Sequence, residues 1–220
     1  MVILCRTGLG CGIKWRRRGR VSKPCVFSTL MPVFAIALAV TAGGQSSDTG
    51  PETVAVPNGR VALRALLWHP QGRGPFPGIL LNHGSGRTRE ELERLGPYED
   101  QAKTLGPVFA RHGYVFLFLF RRGVGLSTDQ GASAIDLMNS ELAAHGQNAR
   151  NALQLQLLEN RELSDAEAGL AFLRRLPEVD SRRVAIVAHS FGGSLTILQA
   201  AKEPDLSAVV IFSDAGYSWD

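Results

Sequence analysis

No histidine follows His189, no cysteine follows Cys25, and no acidic residue occurs in the first 42 positions of this 220-residue chain. Each absence excludes something. With cysteine confined to Cys5, Cys11 and Cys25, the rest of the chain has no disulfide, no thiolate nucleophile and no cysteine-based metal site. No spaced cluster of metal-ligating residues is present, and nothing in the sequence implies a cofactor. The formal charge of +4 is unevenly placed. Seven of the 24 Lys and Arg lie in residues 1–42, where acidic residues are lacking, so the remainder holds 17 basic against 20 acidic residues, a net −3. The basic character belongs to the N-terminal segment, and a nucleic-acid partner has no support in the rest.

That segment reads as a targeting signal. Six positive charges between Lys14 and Lys23 precede an apolar run from Val26 to Val40, then small residues around Ala42 and a polar linker. The expected division is a signal peptide or N-terminal membrane anchor over residues 1–44, a linker over 45–52 and one globular domain over 53–220. Export to the periplasm or medium is expected, with anchoring through residues 24–44 as the alternative. A start at Met31 would remove the charged region and the signal with it.

Beyond residue 52, short apolar runs alternate with helical patterns. Thr53–Val56, an Asn58-Gly59 turn and Val61–Trp68 predict an edge hairpin. Gly78–Asn82, Tyr114–Phe120, Val184–Ala188 and Ala208–Phe212 predict buried strands. Arg87–Gly96 is charged and expected to be an exposed loop or short helix. Tyr98–His112 predicts a helix that kinks or restarts at Gly106-Pro107. Ser127–Asn160 is less regular, partly helical, and expected to form a partial lid. Ser164 to Glu167 reads as a capping box opening a helix that ends near Arg174-Arg175. The expected fold class is α/β: a mainly parallel sheet with helices on both faces and an antiparallel N-terminal edge hairpin.

Ligand sites in such sheets lie at the carboxyl ends of the strands. Three loops meet those ends: His83-Gly84-Ser85-Gly86, Arg121–Ser127, and His189-Ser190-Phe191-Gly192-Gly193. The last turns an apolar strand into the helical run Ser194–Lys202, which is the layout of a nucleophile elbow; Ala188 stands where the first glycine of G-x-S-x-G is usual. A serine after a strand is often only a helix cap, but the strand, the helix, Gly192 and the His-Gly loop agree on a nucleophile at Ser190. Its oxyanion donors are expected to be the backbone N–H of Phe191 and the backbone around Gly84 and Ser85. His83 is expected to order the oxyanion loop, His189 to point away from the site to pack or hydrogen-bond, and Gly192 and Gly193 to allow the tight turn. Arg121 and Arg122 are expected to hold loop carboxylates. Glu141 and His145 read as surface positions.

These strings, with Arg122-Gly123-Val124-Gly125-Leu126-Ser127 and Pro177–Ala185, resemble the α/β-hydrolase fold, and within it the dienelactone hydrolase-like and prolyl-oligopeptidase-like group, from Thr53 to the end. The resemblance implies hydrolysis of a small-molecule ester, lactone, thioester or peptide carbonyl through an acyl-enzyme. It also implies a triad in the order Ser, acid, His. After Ser190 the acids are Glu203, Asp205, Asp214 and Asp220, and no histidine follows. A domain incomplete at its C-terminus is therefore expected, inactive or weak as given, with a bare hydrophobic sheet edge. A non-catalytic binding module is the alternative. The sequence leaves oligomeric state open.

Overall fold

A computed structural model of the chain describes residues 2–5, 50–85 and 97–214. The basic and apolar N-terminal stretches, the Arg87–Gly96 segment and residues 215–220 lie outside the described residues.

One seven-stranded sheet organises the molecule. Its strands in chain order are β1 (Val2–Cys5), β2 (Glu52–Asn58), β3 (Val61–Trp68), β4 (Phe76–Asn82), β5 (Val115–Phe120), β6 (Val179–Ser190) and β7 (Ala208–Asp214). Across the sheet the order is β1-β7-β6-β4-β5-β3-β2. β4 pairs parallel with both β5 and β6, and β6 parallel with β7, while the β2–β3 hairpin joins β5 antiparallel. The order reverses at β4, so the carboxyl ends of β4, β5 and β6 face a common crevice.

β5 shows why this sheet must be covered twice. Val115, Leu117 and Leu119 enter one apolar cluster with Leu170 and Leu173, whereas Phe116, Phe118 and Phe120 enter another with Ala102. Alternate side chains point to opposite faces, and both faces are apolar. Helix α1 (Tyr98–Arg111) covers the second face. The first is covered by α4 (Leu163–Arg175), and α5 (Phe191–Lys202) packs on α4 through Phe191 and Leu195 against Leu163 and Ala166. Between β5 and α4 come a 3₁₀ turn (Gly125–Gln130), α2 (Ala134–His145), α3 (Gln147–Gln156) and a π-helical turn (Leu157–Glu162).

Several expectations change here. α1 continues through Gly106-Pro107 without restarting. Gly106 is there for contact: a Cβ would sit 2.2 Å from the Trp68 ring. Ser164 does not open a helix. The residue before α4, Glu162, is itself helical, and the chain stays helical from Gln147 to Arg175 through the π turn. The side chains that resemble a capping box have distant partners instead. Asn58 Nδ2 donates to Ser164 Oγ at 3.0 Å and to Asp165 Oδ1 at 2.8 Å. The edge of β7 is not bare either, because β1 pairs with it antiparallel from Val2↔Ile211 to Cys5↔Ala208.

Candidate active site

β6 runs straight into α5, and the junction is Ser190. Its backbone sits at φ 53°, ψ −125°, in a region that non-glycine residues occupy only under constraint. Ser190 holds the N-cap position of α5, yet its side chain makes no capping hydrogen bond. The ordinary reason for a serine at a helix start is therefore absent, and the half-buried hydroxyl is left at the cavity wall. The first N–H groups of α5, that of Phe191 foremost, have no acceptor within the helix.

The turn is closed by contact with the neighbouring strand end. A Cβ on Gly192 would lie 2.1 Å from the Asn82 carbonyl oxygen and 2.7 Å from that of His83. Gly84 approaches from the other side: a Cβ there would meet Ser190 Cβ at 3.2 Å. The β4 loop and the start of α5 are thus in van der Waals contact, with Gly84 beside the serine. Gly193 is buried in the first turn of α5.

Polar side chains fix this contact. Asn82 Nδ2 donates to Thr196 Oγ1 at 2.7 Å and to Gln199 Oε1 at 3.0 Å, tying the end of β4 to α5. Arg121 is 2 % exposed. Its Nε donates to Glu162 Oε2 at 2.8 Å, and its terminal nitrogens donate to the carbonyls of His83 at 3.0 Å and Gly84 at 3.4 Å. The same guanidinium lies 5.7 Å from the centre of the Phe191 ring. Tyr98 Oη donates to the Gly84 carbonyl at 3.0 Å. The carbonyls of His83 and Gly84 are thus held by donors from β5 and α1. Arg122 binds Asp165 Oδ2 through its backbone N–H at 3.0 Å and both carboxylate oxygens through its side chain. Both arginines hold helical carboxylates rather than loop ones.

His83 is buried beside Phe118 and Tyr98. Both ring nitrogens are engaged: the Arg121 N–H donates to Nε2 at 3.4 Å, so Nδ1 carries the proton and donates to the Gly84 carbonyl at 2.6 Å. Burial, and then the Arg121 guanidinium, hold its imidazole well below the ordinary histidine range; the Gly84 carbonyl opposes this. The native state therefore disfavours a proton that the unfolded chain accepts below pH about 6.5. His83 contributes stability above that pH, and the contribution falls as the solution is acidified, by up to about 1.4 kcal/mol per pH unit. Urea unfolding between pH 7.5 and 5 should show a loss that His83→Gln reduces; an equal loss in both proteins contradicts the neutral, buried imidazole.

Other residues singled out in the sequence fall elsewhere. His189 does not turn away to pack; it is exposed and lines the cavity beside Ser190. Asp214 stands opposite Ser190 in the β6–β7 register, after a register shift at Ser213, whose φ of 51° is the other positive value at a non-glycine residue among the described residues. Glu203 lies at the far end of α5 and pairs with Arg174. His145 pairs with Glu141 on the surface of α2. Asp220 lies outside the described residues. Asn82, Tyr98 and Glu162 are structural parts of the site that the sequence does not mark: Asn82 is only the last residue of an apolar run, and the other two sit in helical stretches.

A cavity of about 780 Å³ opens at Gly84, His189 and Ser190 and continues along α1. No residue of the Ser127–Asn160 segment lines it, so that segment is not a lid over this cavity.

Known proteins place this arrangement. Residues 63–216 match the dienelactone hydrolase family. The quorum-quenching protein AidA of Acinetobacter baumannii (strain MDR-ZJ06) is 27 % identical over 150 residues, covering 68 % of this chain and 39 % of AidA. Among solved structures, a dienelactone hydrolase-like promiscuous phosphotriesterase from metagenomic libraries is 22 % identical over 74 % of this chain and 59 % of its own, with a TM-score of 0.48. DcsB, solved with its substrate analogue, is 21 % identical over 74 % of this chain and 46 % of its own, with a TM-score of 0.50. The chain thus spans less than two thirds of the length of each. The sheet with helices on both faces is the α/β architecture expected from the sequence. Matched over more than half its length, the chain belongs to the dienelactone hydrolase family.

Proposed function

We propose that this chain carries the nucleophile and oxyanion hole of a serine hydrolase acting on an ester, lactone, thioester or peptide carbonyl. One observation carries the reading: Ser190 is held at φ 53° at the start of α5 without capping it, with Gly84 packed against its Cβ. Strain of this kind persists where the surroundings impose it, and it clusters at functional sites.

In this reading Ser190 Oγ attacks the carbonyl carbon and loses its proton to a base. The Phe191 N–H and the backbone N–H groups of Gly84 and Ser85 bind the oxyanion. The intermediate collapses by expelling the protonated leaving group, and water then hydrolyses the acyl-serine. His83 is not assigned as the base, because both its ring nitrogens are engaged and its burial opposes taking up a proton. Among the described residues no hydrogen bond joins Ser190 to an imidazole. We therefore propose that the 220-residue chain turns over slowly by itself. The same observation favours a second reading, a binding module that keeps the fold without catalysis.

Hydrolysis of p-nitrophenyl acetate separates the two. The hydrolase reading expects slow turnover that is accelerated by added imidazole, beyond imidazole's own reaction, and abolished in Ser190→Ala. Equal rates with and without Ser190, imidazole included, would leave the binding module.

The N-terminal segment is proposed to direct export. Cleavage near Ala42 would remove β1 and unpair the edge of β7, whereas an uncleaved anchor retains both. The intact mass of the exported protein distinguishes these.

A further inference from the structure

The cavity at Ser190 is built from two apolar surfaces. One is the face of the sheet covered by α1, where Leu81 of β4 stands beside Val187 of β6 in register and Phe212 of β7 beside His189. The other is α1 itself, whose Gln101, Leu105 and Phe109 recur every four residues and so share one helix face. Measured along β6, the trough runs from Ser190 to Val187, three residues of strand or roughly 10 Å. Measured along α1 from Gln101 to Phe109 it is about 12 Å. The two walls agree on the length of a slot that starts at the nucleophile. Phe212 stays 44 % exposed at its mouth, where it extends the apolar wall of the slot to the surface. Among the described residues lining the slot, no Lys or Arg is present and Asp100 is the one carboxylate.

We propose that this slot receives an uncharged, apolar acyl chain of the substrate and discriminates against a carboxylate carried on that chain. The proposal rests on the reading of Ser190 as nucleophile, since it is the scissile carbonyl that seats the chain at the mouth. The physical basis is simple. Each methylene that enters the slot leaves water for an apolar wall, whereas a carboxylate there loses hydration without finding a cation and faces Asp100.

The test is equilibrium binding, which needs no turnover. Straight-chain methyl ketones from 2-butanone to 2-decanone are titrated calorimetrically into the full chain, into Ser190→Ala and into Thr104→Trp. Thr104 is exposed on the rim, so the tryptophan narrows the slot without entering the core. Affinity should rise about four-fold per added methylene in the parent and in Ser190→Ala. Thr104→Trp should weaken 2-decanone ten-fold or more and leave 2-butanone unchanged; Phe212→Ser should weaken the long ketones without unfolding the protein. 9-Oxodecanoate, the same methyl ketone with a carboxylate at the far end of its chain, should bind at least ten-fold more weakly than 2-decanone, with Asp100→Asn narrowing the gap. Affinity independent of chain length, 9-oxodecanoate bound as well as 2-decanone, or unchanged binding by Thr104→Trp overturns the proposal. The two readings fail separately. A graded ketone series without Ser190-dependent ester turnover keeps the slot and removes the nucleophile. Ser190-dependent turnover with a flat ketone series does the reverse.

Discussion

Gly192→Ala is expected to destabilise the protein by about 3 kcal/mol or more, at the top of the range for overpacking. The added methyl would stand 2.1 Å from the Asn82 carbonyl oxygen and 2.6 Å from its carbon, and both atoms are backbone. A flexible side chain could swing aside; these atoms move only if β4 or α5 moves. Neither is free, because the Asn82 side chain is bonded to Thr196 and Gln199 on that same helix. Relief of the clash therefore works against two buried hydrogen bonds. For a domain stable by about 5–15 kcal/mol the loss is a large part of the total. Gly50→Ala is the control, since nothing lies within 4 Å of its Cβ position, and its change should stay within about 0.5 kcal/mol. Urea unfolding of the two variants reads the difference directly. Midpoints that coincide would mean that β4 and α5 are not in the contact described.

Breaking the buried ion pair should be comparably severe. Arg121→Met leaves the Glu162 carboxylate, itself 2 % exposed, without its buried partner and strips the His83 and Gly84 carbonyls of their donor. Loss of one member of a buried pair costs about 3–5 kcal/mol. Arg161 moderates the loss, because its guanidinium also reaches Glu162 Oε1 at 2.8 Å from a more exposed position. Arg121→Lys should not rescue the fold: a single ammonium cannot span a carboxylate and two carbonyls as the guanidinium fork does. The double variant Arg121→Met with Glu162→Leu should recover much of the stability, as removing both charges leaves no uncompensated ion. A thermodynamic cycle over the single and double variants measures the coupling, and a coupling below about 0.5 kcal/mol would contradict a mutually dependent pair.

These two sites also show what the sequence does and does not reveal. The elbow is legible because its requirements are local: an apolar strand, a residue forced into positive φ, and glycines where backbone meets backbone. The strand pattern is legible for the same reason, since each buried parallel strand is a short unbroken apolar run. Ser164 to Glu167 is the counter-example. It has the composition of a capping box, but Asn58 and Arg122, both distant in sequence, take up Ser164 and Asp165, and the helix runs on through the π turn. There the tertiary partners take the side chains that local capping would have used. The service of Asn82, Tyr98 and Glu162 to the site is of this long-range kind and leaves no spacing to read. Pairing of Val2–Cys5 with β7 is hidden for another reason: a short apolar string ahead of a basic stretch looks like part of a targeting signal.

The arrangement at Ser190 accounts for several otherwise unrelated features at once. The serine is strained without capping its helix, a glycine is required beneath it, and a buried arginine holds the facing loop's carbonyls. In the proposed reading all three serve to position one hydroxyl near backbone N–H groups, which is the arrangement that acyl transfer needs. The most direct measurement is covalent. The full chain is incubated with a fluorophosphonate at neutral pH, with and without imidazole, and the adduct is located by peptide mass. The expected result is a single phosphonyl adduct on Ser190, formed faster with imidazole and absent from Ser190→Ala. An adduct on another residue, or none on Ser190 under either condition, would contradict its assignment as the nucleophile.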